Sequence, residues 1–154
     1  MSDLFDNYGF VSGGIFNVSP SEAFELCGKG AVIVDVREEY LNNFKNFDVP
    51  ETLFLPISEL LQKLSDLPLD KHLIFADTVG LRSKEVVVLL NDIGYVKIAN
   101  MAGGIVDWER DALPLKTNVE ERLSGSCMCQ LKPREGKKSG TVPCPPIQEN
   151  KKCC

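Results

Sequence analysis

The sequence predicts an α/β fold, a parallel sheet of about five strands with helices on both faces. Three observations carry that expectation. Short segments such as Ala31 to Val36 and Leu73 to Ala76 are apolar almost without alternation, as strands are when helices cover both faces of a parallel sheet. Other segments, for example the one carrying Val86, Leu89, Leu90 and Ile93, repeat their apolar residues at helical spacing. The two kinds of segment take turns along the chain, with crossovers of the length that parallel strands need.

Residues 1–14 are polar and Gly-rich and read as a flexible N-terminal segment. Ile15 to Val18 is a first short strand. Ser19-Pro20-Ser21-Glu22 is a helix start, with Ser at the N-cap, Pro at the first helical position and Glu placed to bond back. That helix should end near Gly28, and Cys27 beside Leu26 reads as a small packed residue. Ala31 to Val36 is the second strand, and Glu38 to Phe44 has the composition of a short helix. Thr52 to Leu55 is another strand, stopped by Pro56. Ile57, Leu60, Leu61 and Leu64 then give one apolar face to a helix from about Ser58 to Asp66.

Leu67-Pro68-Leu69-Asp70 turns back to the strand Leu73 to Ala76, which ends abruptly at Asp77. A helix follows from Ser83 and stops at Gly94. Tyr95 to Ala99 is the last strand. Gly103 and Gly104 permit positive φ and close backbone approach, and Trp108 beyond them reads as a core anchor. Asp77 to Arg82 is therefore a strand-to-helix turn. Such a turn aims successive backbone N–H groups at one spot, and the helix dipole adds positive potential there.

Composition bounds the function. The chain has 154 residues, 44% of them apolar and 25% charged, which suits one globular domain with an appendage. We divide it into the flexible segment 1–14, a domain at 15–116 and a Cys-rich basic tail at 117–154, mostly disordered. From Glu121 onward seven Lys or Arg face three Asp or Glu, a net of +4, so the first 120 residues carry −9 of the total −5. An acidic body argues against a nucleic-acid partner. No apolar run approaches the ~20 residues of a membrane span, and the start of the chain lacks a secretory pattern, so a cytoplasmic protein without a membrane partner is expected.

The motifs add a resemblance. Ser19 to Phe24, Val34-Asp35-Val36-Arg37-Glu38, Leu55-Pro56, Gly80-Leu81-Arg82-Ser83 and Met101-Ala102-Gly103-Gly104-Ile105-Val106-Asp107-Trp108 resemble, in order and spacing, a single rhodanese domain over about residues 15 to 116. That family's loop has a Cys followed, after four residues, by Arg or Thr, and its Cys thiolate accepts a sulfane sulfur as a persulfide. Here the loop is Asp77-Thr78-Val79-Gly80-Leu81-Arg82, and the nucleophile's position is held by Asp77. A carboxylate cannot carry sulfane sulfur. Held by loop N–H groups, it would fill the anion cradle and weaken binding of thiosulfate or phosphate.

Asp35 and Arg37 follow the Asp-x-Arg that the family keeps at this strand end; they would tune the loop or, in the reading we favour, fix neighbouring backbone through charge-assisted hydrogen bonds. The family's Gly-His-Ile-Pro-Gly-Ala stretch is reduced to Pro50. The single histidine, His72, opens a strand far from an obvious partner and reads as structural or exposed, which leaves no histidine for a Cys/His or Ser/His/Asp set. A phosphoryl-transferring Asp77 would need a metal or a cationic cluster, and only Arg82 stands near it in sequence.

Five of the six cysteines, Cys127, Cys129, Cys144, Cys153 and Cys154, lie in the tail. Cys127 and Cys129, close to Lys132 and Arg134, are alternative sulfur-carrying thiols. All five are candidate ligands for a soft metal, although their spacing matches no ordinary zinc finger. The reading is a rhodanese-like binding or regulatory module without sulfurtransferase activity at its loop. Its partner would be an unidentified protein or a sulfur donor or acceptor, and no cofactor is expected.

Overall fold

The computed structural model describes residues 3–118. In chain order the elements are β1 (Phe10–Ser12), β2 (Ile15–Val18), α1 (Pro20–Gly28), β3 (Val32–Asp35), α2 (Glu39–Phe44), β4 (Lys45–Phe47), β5 (Thr52–Phe54), a 3-10 turn (Leu64–Asp66), β6 (Leu73–Ala76), α3 (Leu81–Ile93), β7 (Ile98–Met101), α4 (Gly104–Arg110) and β8 (Leu115–Thr117). The main sheet has the order β1-β2-β7-β6-β3-β5. Five of its strands run parallel and β1 is antiparallel to β2. A mostly parallel sheet with a helical layer on each face is the rhodanese-like arrangement expected from the sequence.

Alternation along the central strands builds two cores. Val32 and Val34 of β3, with Leu73 and Phe75 of β6, pack against Val86, Val87 and Leu90 of α3. Ile33, Ile74 and Ala76 face the other way, toward Leu26 of α1 and Trp108 of α4. Trp108 is fully buried, its ring meets Phe24 and Phe47 edge-on, and its Nε1 donates to the Pro114 carbonyl at 2.9 Å. Apolar burial of this kind stabilises by about 1.5–3 kcal/mol per large side chain.

Ser19 caps α1 as its spacing predicts. Its hydroxyl accepts from Glu22 N, and the Glu22 carboxylate accepts from Ser19 N at 2.8 Å, a complete capping box. Cys27 is buried, and burial pushes its thiol up to about 12, so it stays protonated and unreactive.

Several expectations need correction. Residues 3–14 are part of the fold: Phe10–Ser12 pairs with β2, and Leu4, Phe5 and Tyr8 pack on the second core. Glycines hid this, because Gly9, Gly13 and Gly14 look like loop composition but supply the positive φ that the hairpin needs. The 58–66 segment winds mainly through i→i−3 bonds, such as Glu59 N to Pro56 O and Leu67 N to Leu64 O, and forms only a 3-10 turn. Leu60 and Leu67 are buried while Leu61 is 70% exposed, so the apolar residues do not share the one face that an α-helix would bury. The last parallel strand begins at Ile98 rather than Tyr95. β8 pairs with β4 from Lys45↔Thr117 to Phe47↔Leu115, so the folded unit reaches Asn118, beyond the expected boundary at 116. Its alternation is too short to announce a strand.

Candidate active-site loop

β6 delivers Asp77 to the carboxyl edge of the sheet, where ligands of parallel α/β folds bind, and the chain then turns into α3. Gly80 makes that turn at φ 87°, and a Cβ there would lie 2.8 Å from Gly103 N and 2.9 Å from Met101 O. Only glycine suits both the conformation and the space. Gly104 plays the reciprocal part at φ 57°, since a Cβ would lie 2.5 Å from the Asp77 carbonyl oxygen. With both side chains missing, the start of α4 seats on the loop: Ile105 N donates to Asp77 O at 3.0 Å and Val106 N to Thr78 O at 3.1 Å. The Asp77 and Thr78 carbonyls are tied from outside, and the N–H groups of Gly80 and Arg82 turn inward.

Those N–H groups meet the Asp77 side chain. Its Oδ1 accepts from Gly80 N, and its Oδ2 accepts from Arg82 N at 3.0 Å. The Ser83 hydroxyl lies 3.2 Å from Oδ1, and Asp77 as a whole is 3% exposed. Asp77 thus fills the cradle that the loop forms, and it does so as a fully hydrogen-bonded group. A buried carboxylate without such donors would carry a heavy desolvation cost.

A polar ladder continues inward. Ser83 Oγ donates to Asn100 Oδ1 at 2.6 Å, Asn100 Nδ2 donates to Asn17 Oδ1 at 3.0 Å, and Asn17 Nδ2 donates to the Ile15 carbonyl at 3.1 Å. Asn17 and Asn100 face each other across β2 and β7, and both are buried. Sequence reasoning named Ser83 within the loop motif and missed both asparagines. Their signal was present, since each asparagine interrupts an otherwise apolar strand, and a buried amide needs partners.

Asp35 and Arg37 flank the loop from β3. Arg37 Nε donates to Asp35 Oδ1 at 2.9 Å, Nη2 donates to Oδ2 at 2.6 Å, and Nη2 also donates to the Lys45 carbonyl at 2.6 Å. The pair is almost entirely buried. As expected, it fixes backbone, here tying β3 to β4.

An open hollow of about 300 Å³ lies in front of the loop, lined among others by Arg37, Tyr40, Leu41, Asp77, Val79 and Arg82. The Arg82 guanidinium has no carboxylate within 4 Å among the described residues, whereas Asp77 spends its charge on the loop. Thr78, Val79 and Leu81 are exposed at the rim. His72 stands at the opposite end of β6, where its Nε2 lies 2.6 Å from Asp3 Oδ1 and Phe5 meets its ring edge-on. It therefore has a partner, contrary to the expectation from sequence, and takes no part in the loop. No group of metal-ligating side chains occurs among the described residues. Cys127, Cys129, Cys144, Cys153 and Cys154 lie outside them. No described helix is long and apolar enough to cross a membrane.

Known proteins share this frame. The Rhodanese-like domain family matches residues 19–111. A sulfurtransferase of Allochromatium vinosum is 31% identical over 67 residues, covering 44% of this chain and 63% of that protein. The thiosulfate sulfurtransferase GlpE of Haemophilus influenzae is 29% identical over 104 residues, covering 65% of this chain and 93% of that protein. Among solved structures, a rhodanese-related protein from Thermoplasma volcanium superposes with a TM-score of 0.60 at 27% identity, over 66% of this chain and 98% of that one. With the family matched across more than half its length and the same α/β frame around the loop, this chain belongs to the Rhodanese-like domain family.

Proposed function

We propose that the domain is a binding or regulatory module that keeps the rhodanese frame and lacks sulfurtransferase chemistry at its loop. One observation carries the reading: the Asp77 carboxylate takes up the N–H groups of Gly80 and Arg82. Sulfur transfer from thiosulfate would need a nucleophile that breaks the S–S bond, expels sulfite and keeps the outer sulfur as a persulfide. Asp77 has no sulfur atom to do so. An incoming oxyanion would also have to compete with a fixed negative charge for the same donors. What remains for ligands is the outer hollow, with the Arg82 guanidinium, the Tyr40 ring and the apolar rim of Val79 and Leu81.

A second reading rests on the sequence of the tail. Cys127 and Cys129 stand close to Lys132 and Arg134, and neighbouring cations favour the thiolate form that accepts sulfur. In that reading the chain is a sulfane-sulfur carrier whose chemistry sits outside the loop. The same thiolates would also suit a soft metal ion.

Incubation of the full chain with thiosulfate and then cyanide separates these readings. The module reading expects no thiocyanate and no gain of a sulfur atom, about 32 Da, in any peptide. Thiocyanate release with the added mass mapped to Cys127 or Cys129 would replace it with the carrier reading. Metal that stays with the chain through gel filtration would point to the tail as a metal site.

A further inference from the structure

Away from the loop, a mainly apolar hollow of about 370 Å³ and a smaller one of about 220 Å³, where apolar side chains alternate with exposed backbone, share Val96 and Ile98 as lining residues. Through these shared residues they adjoin as one belt, the smaller reaching Val87 and Asn91 of α3 and Val11 of β1. Val96 is 84% exposed, Val11 72%, Leu69 70% and Ile93 54%. A contiguous apolar surface of this kind marks a contact site more often than scattered single residues do. The charged residues that line the two hollows are both cations, Lys71, which pairs with Glu51, and Lys97.

The charge pattern around the belt departs from that of the rest of the domain. Of the ten described Lys and Arg residues, seven have a carboxylate within 4 Å: Lys29, Arg37, Lys45, Lys63, Lys71, Arg110 and Lys116. The other three are Arg82, at the loop, and Lys84 and Lys97. Lys97 acts on Asp3 at longer range. Lys84 extends its ammonium to Gly13, next to the β1 strand that carries Val11. In a body with nine more acidic than basic groups, two cations left without ion-pair partners among the described residues thus stand at the two ends of an exposed apolar belt.

We propose that this belt docks an acidic amphipathic segment of a protein partner. Two apolar anchors of the segment fill the paired hollows, and flanking carboxylates meet Lys84 and Lys97. The apolar area supplies affinity, and the rim lysines supply orientation and rate of encounter. The basic C-terminal tail carries the wrong sign for the role. A second copy would bring an identical lysine-flanked belt, which repels its twin in a two-fold contact.

The test uses the full chain and two synthetic amphipathic peptides with the same apolar residues, one flanked by glutamates and the other by lysines. Fluorescence anisotropy should show binding of the glutamate peptide that weakens with salt, and amide NMR shifts should fall on Val11, Ile93, Val96 and Lys97. The K84E/K97E variant should weaken that peptide by about tenfold and improve binding of the lysine peptide. Val96→Asp should abolish both. Equal binding of the two peptides, no binding of the glutamate peptide, or shifts centred on the loop would overturn the proposal. So would sedimentation showing self-association of the chain that Val96→Asp removes. Because the loop is not involved, Asp77 variants should bind the glutamate peptide unchanged, so this result stands apart from the reading of the loop.

Discussion

Asp77 and Arg82, the two ends of the loop motif, are joined through backbone: the Asp77 carboxylate accepts the Arg82 N–H at 3.0 Å, while the Arg82 guanidinium is exposed and pairs with no described carboxylate. The acid is therefore a structural cap for the turn into α3, and the base is left for whatever approaches from outside. Placing the negative charge against the first N–H groups of a helix is also where the macrodipole favours it.

Removing that cap should destabilise the domain. In Asp77→Ala the Gly80 and Arg82 N–H groups lose their acceptor, at a cost of about 1–3 kcal/mol. Asp77→Asn keeps one acceptor oxygen and should lie between the two. Urea unfolding followed by circular dichroism measures both.

The seat of α4 on the loop predicts a contrast between glycines. Gly104→Ala puts a methyl group 2.5 Å from the Asp77 carbonyl at positive φ and should cost about 2 kcal/mol or more. Gly28→Ala, at a helical position with nothing within 4 Å of the new Cβ, should be neutral or slightly stabilising. Thermal unfolding of the two variants side by side checks the difference.

The overall fold was legible because its signals are strong and local. The unbroken apolar runs of β3 and β6 and the Ser19-Pro20-Ser21-Glu22 cap each have one good physical interpretation. The short pairings were hidden: β4 and β8 are three residues each and exist only because distant segments meet. In the site, Asp77 and Arg82 were visible from the motif. Asn100 and Asn17, and the contact through which Ser83 joins them to the loop, were not, since a buried polar ladder is defined by contacts across three elements, and propensity does not encode those.

The buried Asp35–Arg37 pair gives a third prediction. Arg37→Ala strands the Asp35 carboxylate in a dry site and should cost about 3–5 kcal/mol. Arg37→Lys keeps the charge but not the two-pronged geometry and should recover only part of that. Denaturant midpoints at constant m-value would show it.

The capping box makes stability depend on pH. Burial opposes ionisation of Glu22, but hydrogen bonds from Ser19 N, Gly9 N and the Ser19 hydroxyl outweigh it and hold the carboxyl below its ordinary value of 4.5. A carboxyl lowered on folding adds stability above its unfolded pKa and loses it as pH falls through its folded one. Glu22→Gln should therefore lower stability at neutral pH, and its difference from the natural chain should shrink on acidification below 4.5. A difference that is constant from neutral pH down to about 3 would show that the cap does not depend on charge.

The most direct measurement restores the sulfur atom. Asp77→Cys, incubated with thiosulfate, should gain about 32 Da on the loop peptide and release thiocyanate with cyanide, because a thiolate there inherits the N–H groups of Gly80 and Arg82. The unaltered chain should gain nothing on that peptide. A folded Asp77→Cys protein that takes up no sulfur, or sulfur transfer at the loop of the unaltered chain, would contradict the proposal that the loop is competent to hold a thiolate and lacks only its sulfur atom.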